Sequence, residues 1–270
     1  MSDEPAPRLG ILEEMTLDEV EAFDPEIVVI PLGSTEPHGP HLPYCQDALA
    51  VQHNAEGGTV LANERGVRAL CYPTLPIGLN VNFAWPFALS MRVPTYIQML
   101  TDLCEQIEKT GVRRILLVNG HGGNTSAIHA FLRQWAHRGV AGTPGAGNHA
   151  FACCLSGGST KARELITYPS NHAGEGETLR MMALRPELVR MDKLDNFPFG
   201  KPALDVLENP ALHWVRPWHL HVPQAAGGET RHVTQEKAER LDPLGGDWIA
   251  EVICDLCSVP WSGSYPYEKE

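Results

Sequence analysis

Residues 31–47, PLGSTEPHGPHLPYCQD, decide the fold of this 270-residue chain. They continue an apolar run that begins at Ile27 and predicts a buried strand. The chain then breaks into glycine and proline but keeps four potential metal ligands close together: Glu36, His38, His41 and Asp47. Such ligands in a loop at the end of a strand indicate a metal site in an α/β protein. A polar loop whose histidines only cap turns is the alternative interpretation.

The spacing within this loop has a geometric consequence. Glu36 and His38 are two residues apart, so an extended segment points both side chains to the same side. Asp47 opens a predicted helix over residues 48–65. A carboxylate in that position can accept hydrogen bonds from free amides at the helix start and can also bridge two cations.

A second polar motif follows another predicted strand. Residues 114–118, RILLV, lead directly into NGHGGN at 119–124, and a helix is predicted over 125–138. The motif therefore lies at the carboxyl end of a strand, where open α/β sheets bind ligands. His121 is its metal-competent side chain. A phosphate-binding loop is a weaker interpretation, because the GxGxxG spacing and the P-loop lysine are both absent.

A third motif, SNHAGEGET at residues 170–178, precedes another predicted helix. One acid there is explained by favourable interaction with the helix dipole. This motif, however, has two acids and a histidine: Glu175, Glu177 and His172. Because the chain already has two other clusters of potential metal ligands, this combination favours a role in metal binding or catalysis. The predicted metal ligands of the chain are Glu36, His38, Asp47, His121 and Glu177.

This mixed set of nitrogen and oxygen ligands suits two divalent ions, zinc or manganese, better than calcium or a thiolate zinc site. Water activated between such ions can attack a polarised carbonyl. His172 remains available to move a proton to the leaving group. The GxSxG motif of a serine nucleophile is absent, and Cys45, the thiol alternative, has no activating pair nearby in sequence.

Two further segments are predicted to bind substrate. Residues 76–90 are rich in glycine, asparagine and aromatic residues, and we interpret them as a pocket wall that contributes Asn80, Asn82 and Trp85. A buried or subunit-facing loop is an equal alternative for this segment.

Residues 191–230 hold many prolines and aromatic residues without periodicity, which indicates a lid, a binding loop or a subunit contact. His219 and His221 are predicted to line the substrate entrance there, together with Trp214 and Trp218; a second metal pair is the alternative.

The alternation of strand-like and helix-like segments predicts one α/β domain over residues 1–270, built as a three-layer, mostly parallel sheet flanked by helices. A last amphipathic helix is predicted over residues 236–256. The net charge of −12 argues against nucleic acid and anionic membranes as partners. Seven scattered cysteines and an N-terminus without a signal pattern predict a cytoplasmic protein.

The combination of GSTEPHGPHLP, Asp47, NGHGGN and HAGEGET, in this order and spacing, resembles the creatininase (creatinine amidohydrolase) family over residues 28–186. The resemblance implies a parallel α/β fold, two divalent metals and a homo-oligomer, often a hexamer. It implies that Glu36, Asp47 and His121 hold one metal, that His38 and Asp47 hold the other, and that His172 is the active-site histidine.

The chain departs from creatininase at two places. Gly123 stands where creatininase has a metal-ligating glutamate, and we expect Glu177 to supply the missing carboxylate. The tryptophans that close over creatinine have no clear match, which favours another substrate. Related members resemble enzymes that cleave formamides, trim a peptide during redox-cofactor maturation, or open inosose-type rings.

The sequence therefore predicts a dinuclear-metal hydrolase that acts on a small polar amide or cyclic amide. The first alternative is hydrolytic ring opening of an inosose-type cyclic polyol ketone. The alternative from another class is a metal-binding scaffold without catalysis.

Overall fold

The computed structural model describes residues 7–80, 85–138, 149–168, 172–262 and 264–267. In these ranges the strands are β1 (Ile27–Leu32), β2 (Ala69–Cys71), β3 (Arg114–Asn119), β4 (Phe151–Ser156), β5 (Asn196–Phe197) and β6 (Gly228–Glu229). The α-helices are α1 (Leu17–Phe23), α2 (Gln46–Glu64), α3 (Val93–Lys109), α4 (Thr125–Ala136), α5 (Thr160–Leu165), α6 (Glu175–Leu184), α7 (Trp218–His221), α8 (Gln235–Leu241) and α9 (Pro243–Cys257).

A parallel sheet with the strand order β2-β1-β3-β4 forms the centre of the fold. The last residues of three strands are in register, since Leu32 pairs with Asn119 and Asn119 pairs with Ser156. The loops that follow β1 and β3 therefore leave the sheet side by side at its carboxyl edge. This register brings together two of the motifs that the sequence singled out.

Helices cover both faces of this sheet. On one face, Tyr96 and Leu100 of α3 and Phe131 of α4 pack against β1 and β3. On the other face, Val51 of α2 and Ile253 of α9 pack against the same strands. The expected three-layer, mostly parallel α/β architecture is confirmed. No helix in the described ranges is both long and apolar enough to cross a membrane.

Two predicted elements have different limits in the structure. The strand expected over 67–75 extends only over Ala69–Cys71, although Leu75 forms an isolated parallel bridge with Leu32. The single helix expected over 236–256 is wrong, because the chain forms α8 and α9, which are separated at Asp242. Pro243 causes the break, since proline has no amide hydrogen to continue a helix but is well suited to start one.

Gly58 allows α2 and α9 to pack closely. A Cβ at this position would lie 2.6 Å from the Ile249 Cβ and 2.9 Å from the Gly246 carbonyl oxygen. The neighbouring Gly57 has no atom within 4 Å of its corresponding Cβ position. The two glycines thus offer a matched pair for testing the packing of this layer.

We predict that Gly58→Ala destabilises the protein by about 1–3 kcal/mol, because the added methyl group overpacks the α2–α9 contact. Gly57→Ala should instead leave stability unchanged or raise it by about 0.5–1 kcal/mol, since alanine favours the helix. Urea unfolding of both variants measures the difference. A Gly58→Ala protein as stable as Gly57→Ala would show that the two helices are not tightly packed here.

Candidate metal centre

All five predicted ligands converge at the carboxyl edge of the sheet. Glu36 and His38 lie in the loop after β1, His121 follows β3, Asp47 lies in the first turn of α2, and Glu177 lies in the first turn of α6. Two overlapping sets, Glu36–Asp47–His121 and His38–Asp47–Glu177, each present three ligand atoms within 4.8 Å of one another. These sets come from three separate motifs of the sequence.

Asp47 belongs to both sets because each of its oxygens faces a different histidine. Its Oδ2 lies 2.9 Å from Nδ1 of His121, and its Oδ1 lies 3.2 Å from Nε2 of His38. Glu36 Oε1 is 3.1 Å from the same nitrogen of His121. Glu177 Oε2 is 3.9 Å from the same nitrogen of His38. A carboxylate with this placement can bridge two cations.

Backbone carbonyls orient both of these histidines. Nδ1 of His38 donates to the Glu36 carbonyl oxygen at 3.0 Å, and Nε2 of His121 donates to the Leu79 carbonyl oxygen at 3.2 Å. In the neutral ring, this arrangement leaves the other nitrogen unprotonated and pointing at the carboxylates. Such outer hydrogen bonds are the usual way in which metal-binding histidines are held.

The electrostatics of the cluster favour added positive charge. Burial opposes protonation of His38, yet Asp47 and other nearby carboxylates raise the pKa of its imidazole to about 10. Burial likewise opposes protonation of His121, but the carboxylates of Asp47 and Glu36 beside its ring raise its pKa well above the usual value. The excess of buried negative charge therefore attracts a cation.

Two buried atoms of the cluster make no hydrogen bond within the described part of the chain, namely His38 Nε2 and Asp47 Oδ2. Leaving such atoms without a hydrogen bond is costly in a protein interior. Both atoms face the shared ligand sets, where a divalent cation would satisfy them. The donor types, the burial and the unpaired atoms thus fit a metal centre for zinc or manganese.

Gly123 is required by the local packing. A Cβ at this position would lie 2.1 Å from the Leu79 carbonyl oxygen and 2.4 Å from Nε2 of His121. A glutamate therefore cannot occupy this position without moving the loop that orients His121. The carboxylate beside His38 is instead Glu177, whose Oε2 also accepts a hydrogen bond from the Ala173 amide.

His172 lies at the edge of the cluster. Its ring centroid is 4.3 Å from that of His38, and its Nε2 donates to the Pro37 carbonyl oxygen at 2.9 Å. Its Nδ1 points towards Glu36, 3.7 Å from Oε1. Burial, followed by the charge of His38, lowers the pKa of the His172 imidazole. His172 can also form a ligand set with Glu36 and His38, so the geometry alone permits either a ligand or a proton carrier.

The predicted substrate-binding residues lie at varying distances from this cluster. Asn80 is buried, and its amide nitrogen donates to Ser34 and to the Thr35 and Leu89 carbonyls, so the nitrogen is used in holding loops together. Asn82 lies outside the described residues. Trp85 is half-buried, and within the described ranges no hydrogen bond or ring contact joins it to the cluster.

His219 and His221 both lie in the short helix α7. His219 is exposed, whereas His221 stacks on Phe199 with ring centroids 5.3 Å apart. The ring of Trp218, in the same helix, meets the His172 ring at an interplanar angle of 70°, with the ring centroids 5.6 Å apart. Trp218 therefore contacts His172, which the sequence predicts to be the active-site histidine.

His41 was noticed in the sequence but not assigned a role. It is fully buried, stacks on Phe197, and its Nε2 donates to the Thr178 hydroxyl at 3.0 Å. That hydroxyl in turn donates to the Gly174 carbonyl oxygen. His41 thus ties the loop after β1 to the helix that carries Glu177. Burial, and then the charge of His38, lowers the pKa of the His41 imidazole to about 4.

Arg180 is a candidate functional residue that the sequence motifs did not indicate. It lies one turn after Glu177 in α6 and lines a cavity of about 470 Å³ between α2, α6, α9 and the ends of β3 and β4. The available signal was its helical spacing of three residues from Glu177, which places both side chains on neighbouring positions of one face.

The sequence of this chain is similar to those of several known hydrolases. A sequence model of the creatinine amidohydrolase family matches residues 13–253. The mycofactocin precursor peptide peptidase of Mycobacterium ulcerans is 29% identical over 197 residues, which is 70% of this chain and 70% of that protein. The 3-dehydro-scyllo-inosose hydrolase of Thermotoga maritima is 24% identical over 273 residues, covering 89% of this chain and 81% of that protein.

Solved structures share the fold. A candidate creatinine amidohydrolase from Bacteroides fragilis superposes with a TM-score of 0.80 at 24% identity, covering 97% of this chain and 99% of that chain. A manganese form of creatininase has a TM-score of 0.66 at 22% identity, with 91% and 98% covered. These likenesses extend over nearly the whole chain.

We predict that Asp47→Ala removes both metal ions, because both ligand sets use this carboxylate, whereas His38→Ala removes mainly one. Metal content per chain, measured by plasma mass spectrometry after dialysis, checks this. His53→Ala, which alters a half-exposed histidine of the same helix, serves as the control and should keep full occupancy. Full occupancy in Asp47→Ala would contradict the bridging role.

The pKa of His41 predicts a loss of stability in acid. The folded value of about 4 lies below the usual 6.5, so the unfolded chain binds this proton first as the pH falls. Between pH 7 and pH 4.5, the metal-free protein should lose about 2–3 kcal/mol more than His41→Gln, in which no imidazole titrates. Urea unfolding of both proteins at the two pH values measures this; equal losses would show that His41 is not held neutral.

Proposed function

The chain belongs to the creatinine amidohydrolase family and is a metal-dependent hydrolase, and from this premise we propose that it uses two metal ions to hydrolyse a small polar amide or cyclic amide. The single observation that carries the proposal is the shared carboxylate of Asp47, whose two oxygens face His121 and His38 separately. This placement, with one oxygen at each ligand set, is the one that a carboxylate shared by two ions requires.

We assign one ion to Glu36, Asp47 and His121, and the other to His38, Asp47 and Glu177. Zinc and manganese both suit these ligands, since imidazole and carboxylate are acceptable to either. When bound, such ions polarise a carbonyl and lower the pKa of water to near neutrality. The protein's own contribution is to hold the ligands through backbone carbonyls and to keep the site buried.

We assign to His172 the transfer of a proton to the leaving nitrogen. Its Nε2 is committed to the Pro37 carbonyl, so Nδ1 is the atom that exchanges the proton. Burial keeps this imidazole neutral at rest, as a proton acceptor must be. The Trp218 ring packs against this imidazole, and His172 is buried from bulk water.

A second substrate class is supported by one specific relative. The similarity to an inosose hydrolase from Thermotoga maritima extends over 89% of this chain. The same centre could act on a cyclic polyol ketone, because water attacks a carbonyl in that reaction too. The similarity to a peptide peptidase supports the amide class instead, because a peptide bond is an amide.

We also propose that the protein assembles as a homo-oligomer. Several large apolar side chains of residues 199–220 are exposed, among them Leu204 at 61%, Val215 at 74% and Leu220 at 63%. Exposed apolar side chains concentrated in one segment indicate a protein contact. Sedimentation analysis of the purified protein would test the assembly.

We predict that His172→Ala lowers kcat by about 10²–10⁴-fold, the usual contribution of a general acid or base, and leaves the metal content unchanged. The assay would use amides, N-formyl compounds, short peptides and an inosose as substrates. His129→Ala, which alters an exposed histidine of α4, is the matched control and should retain wild-type turnover.

The outcomes of this assay separate the classes of function. Loss of metal together with activity in His172→Ala would identify His172 as a ligand rather than a proton carrier. Metal-loaded wild-type protein that hydrolyses nothing in the panel would favour the scaffold alternative. Selective hydrolysis of the inosose would replace the amide by the cyclic ketone.

A further inference from the structure

The cavity beside the metal centre carries an arginine that the proposed reaction does not use. Arg180 lines this space of about 470 Å³ together with His121 and Glu177, so one cavity is bordered both by two predicted metal ligands and by the arginine. A volume of this size is typical of sites for small molecules. Arg180 and Glu177 are three residues apart in α6, which puts their Cβ atoms roughly 5–6 Å apart.

Arg180 makes no hydrogen bond and no ion-pair contact with the residues that the structure describes; the Glu177 and Asp47 carboxylates act on it only at longer range. Its guanidinium lies against two glycines. Nη2 is 3.5 Å from the position of a Cβ at Gly158, and Nη1 is 3.8 Å from that of a Cβ at Gly176. Neither glycine has a side chain to contact the guanidinium, and Gly158 lines the same cavity as Arg180.

The other charged groups that line the cavity are already paired or assigned. Asp242 contacts His53 at 3.0 Å, and Glu177 belongs to the second ligand set. Metal ions would take up the negative charge of Glu177 and Asp47, which now balance Arg180 from a distance. Burial lowers the pKa of the guanidinium, in agreement with a cation that lacks a close partner. An unpaired cation in a partly buried site is costly, and an anionic ligand would remove that cost.

We propose that Arg180 binds a carboxylate of the substrate while the scissile carbonyl lies at the metal centre. This inference rests on the proposed function and narrows it to small amides that carry a carboxylate near the reacting bond. A guanidinium presents two parallel N–H groups that match the two oxygens of a carboxylate, which an ammonium group does not. Arg180 is thus a specificity-determining residue, and neutral cyclic substrates would not use it.

The test uses two hydroxamates as probes, because a hydroxamate binds divalent metals through its two oxygens whatever else the molecule carries. Acetohydroxamate is neutral outside this group, whereas succinic monohydroxamate adds a carboxylate, and glutaric monohydroxamate places the carboxylate one carbon further away. Calorimetry measures the Kd of each probe with the metal-loaded protein. Metal content and thermal unfolding are recorded for every variant beforehand.

We expect the wild-type protein to bind the better of the two carboxylate probes at least about 10-fold more tightly than acetohydroxamate, as a charge-assisted pair allows. Arg180→Gln should lose this preference and still bind acetohydroxamate with an unchanged Kd. Arg180→Lys should keep part of the preference, because it retains the charge without the planar fork. Arg185→Gln alters the exposed arginine at the end of the same helix and should behave as the wild type.

Equal binding of the neutral and carboxylate probes by the wild type, or an unchanged preference in Arg180→Gln, would overturn the role of Arg180 and leave the metal centre intact. Failure of every hydroxamate to bind would overturn the metal centre and the inference together. If Arg180→Gln does not fold, the comparison of Arg180→Lys with the wild type decides, since a preference equal to the wild type's would contradict a role for the guanidinium fork.

Discussion

Buried negative charge is the constraint around which this fold is arranged. Glu36 and Asp47 are almost completely buried, and His38 and His121 lie within about 3 Å of their oxygens. Carboxylates are rarely buried without a partner, because their desolvation costs more free energy than a single contact returns. The parallel sheet makes the arrangement possible, since it delivers the loops after β1 and β3 to the same edge. Cations bound at this edge would offset the desolvation of the carboxylates and would thereby stabilise the folded protein.

The loops that carry these ligands are held mainly by backbone groups. The carbonyls of Glu36, Leu79 and Pro37 orient His38, His121 and His172 in turn. Asn80 and Asn124 then tie the neighbouring loops to one another through their amides. Because carbonyls belong to the main chain, their positions depend on the path of the loops and not on side-chain identity. The proline and glycine content of residues 31–47 therefore matters as much as the ligands themselves.

Helix α6 carries both a predicted metal ligand and an arginine that lines the cavity. Its first turn carries Glu177, its next turn carries Arg180, and Thr178 between them is held by His41 from the loop after β1. Buried Glu175 accepts from two amides and from Lys237, so it anchors the start of the helix and takes no part in the ligand sets. The two acids of the HAGEGET motif thus have different tasks. Their positions two residues apart on a helix point them to different neighbours.

Local patterns in the sequence determined the positions of β1 and β3, the helices that follow their loops, and which side chains are chemically able to bind metal. The apolar run of β3 ending in NGHGGN is an example, because it depends on neighbours a few residues away. Only the tertiary structure decided that Asp47 faces two histidines, that Gly123 excludes a side chain and that Arg180 opens into the same cavity. These contacts join segments that are far apart along the chain, so they follow from strand register and helix packing, which no local periodicity encodes.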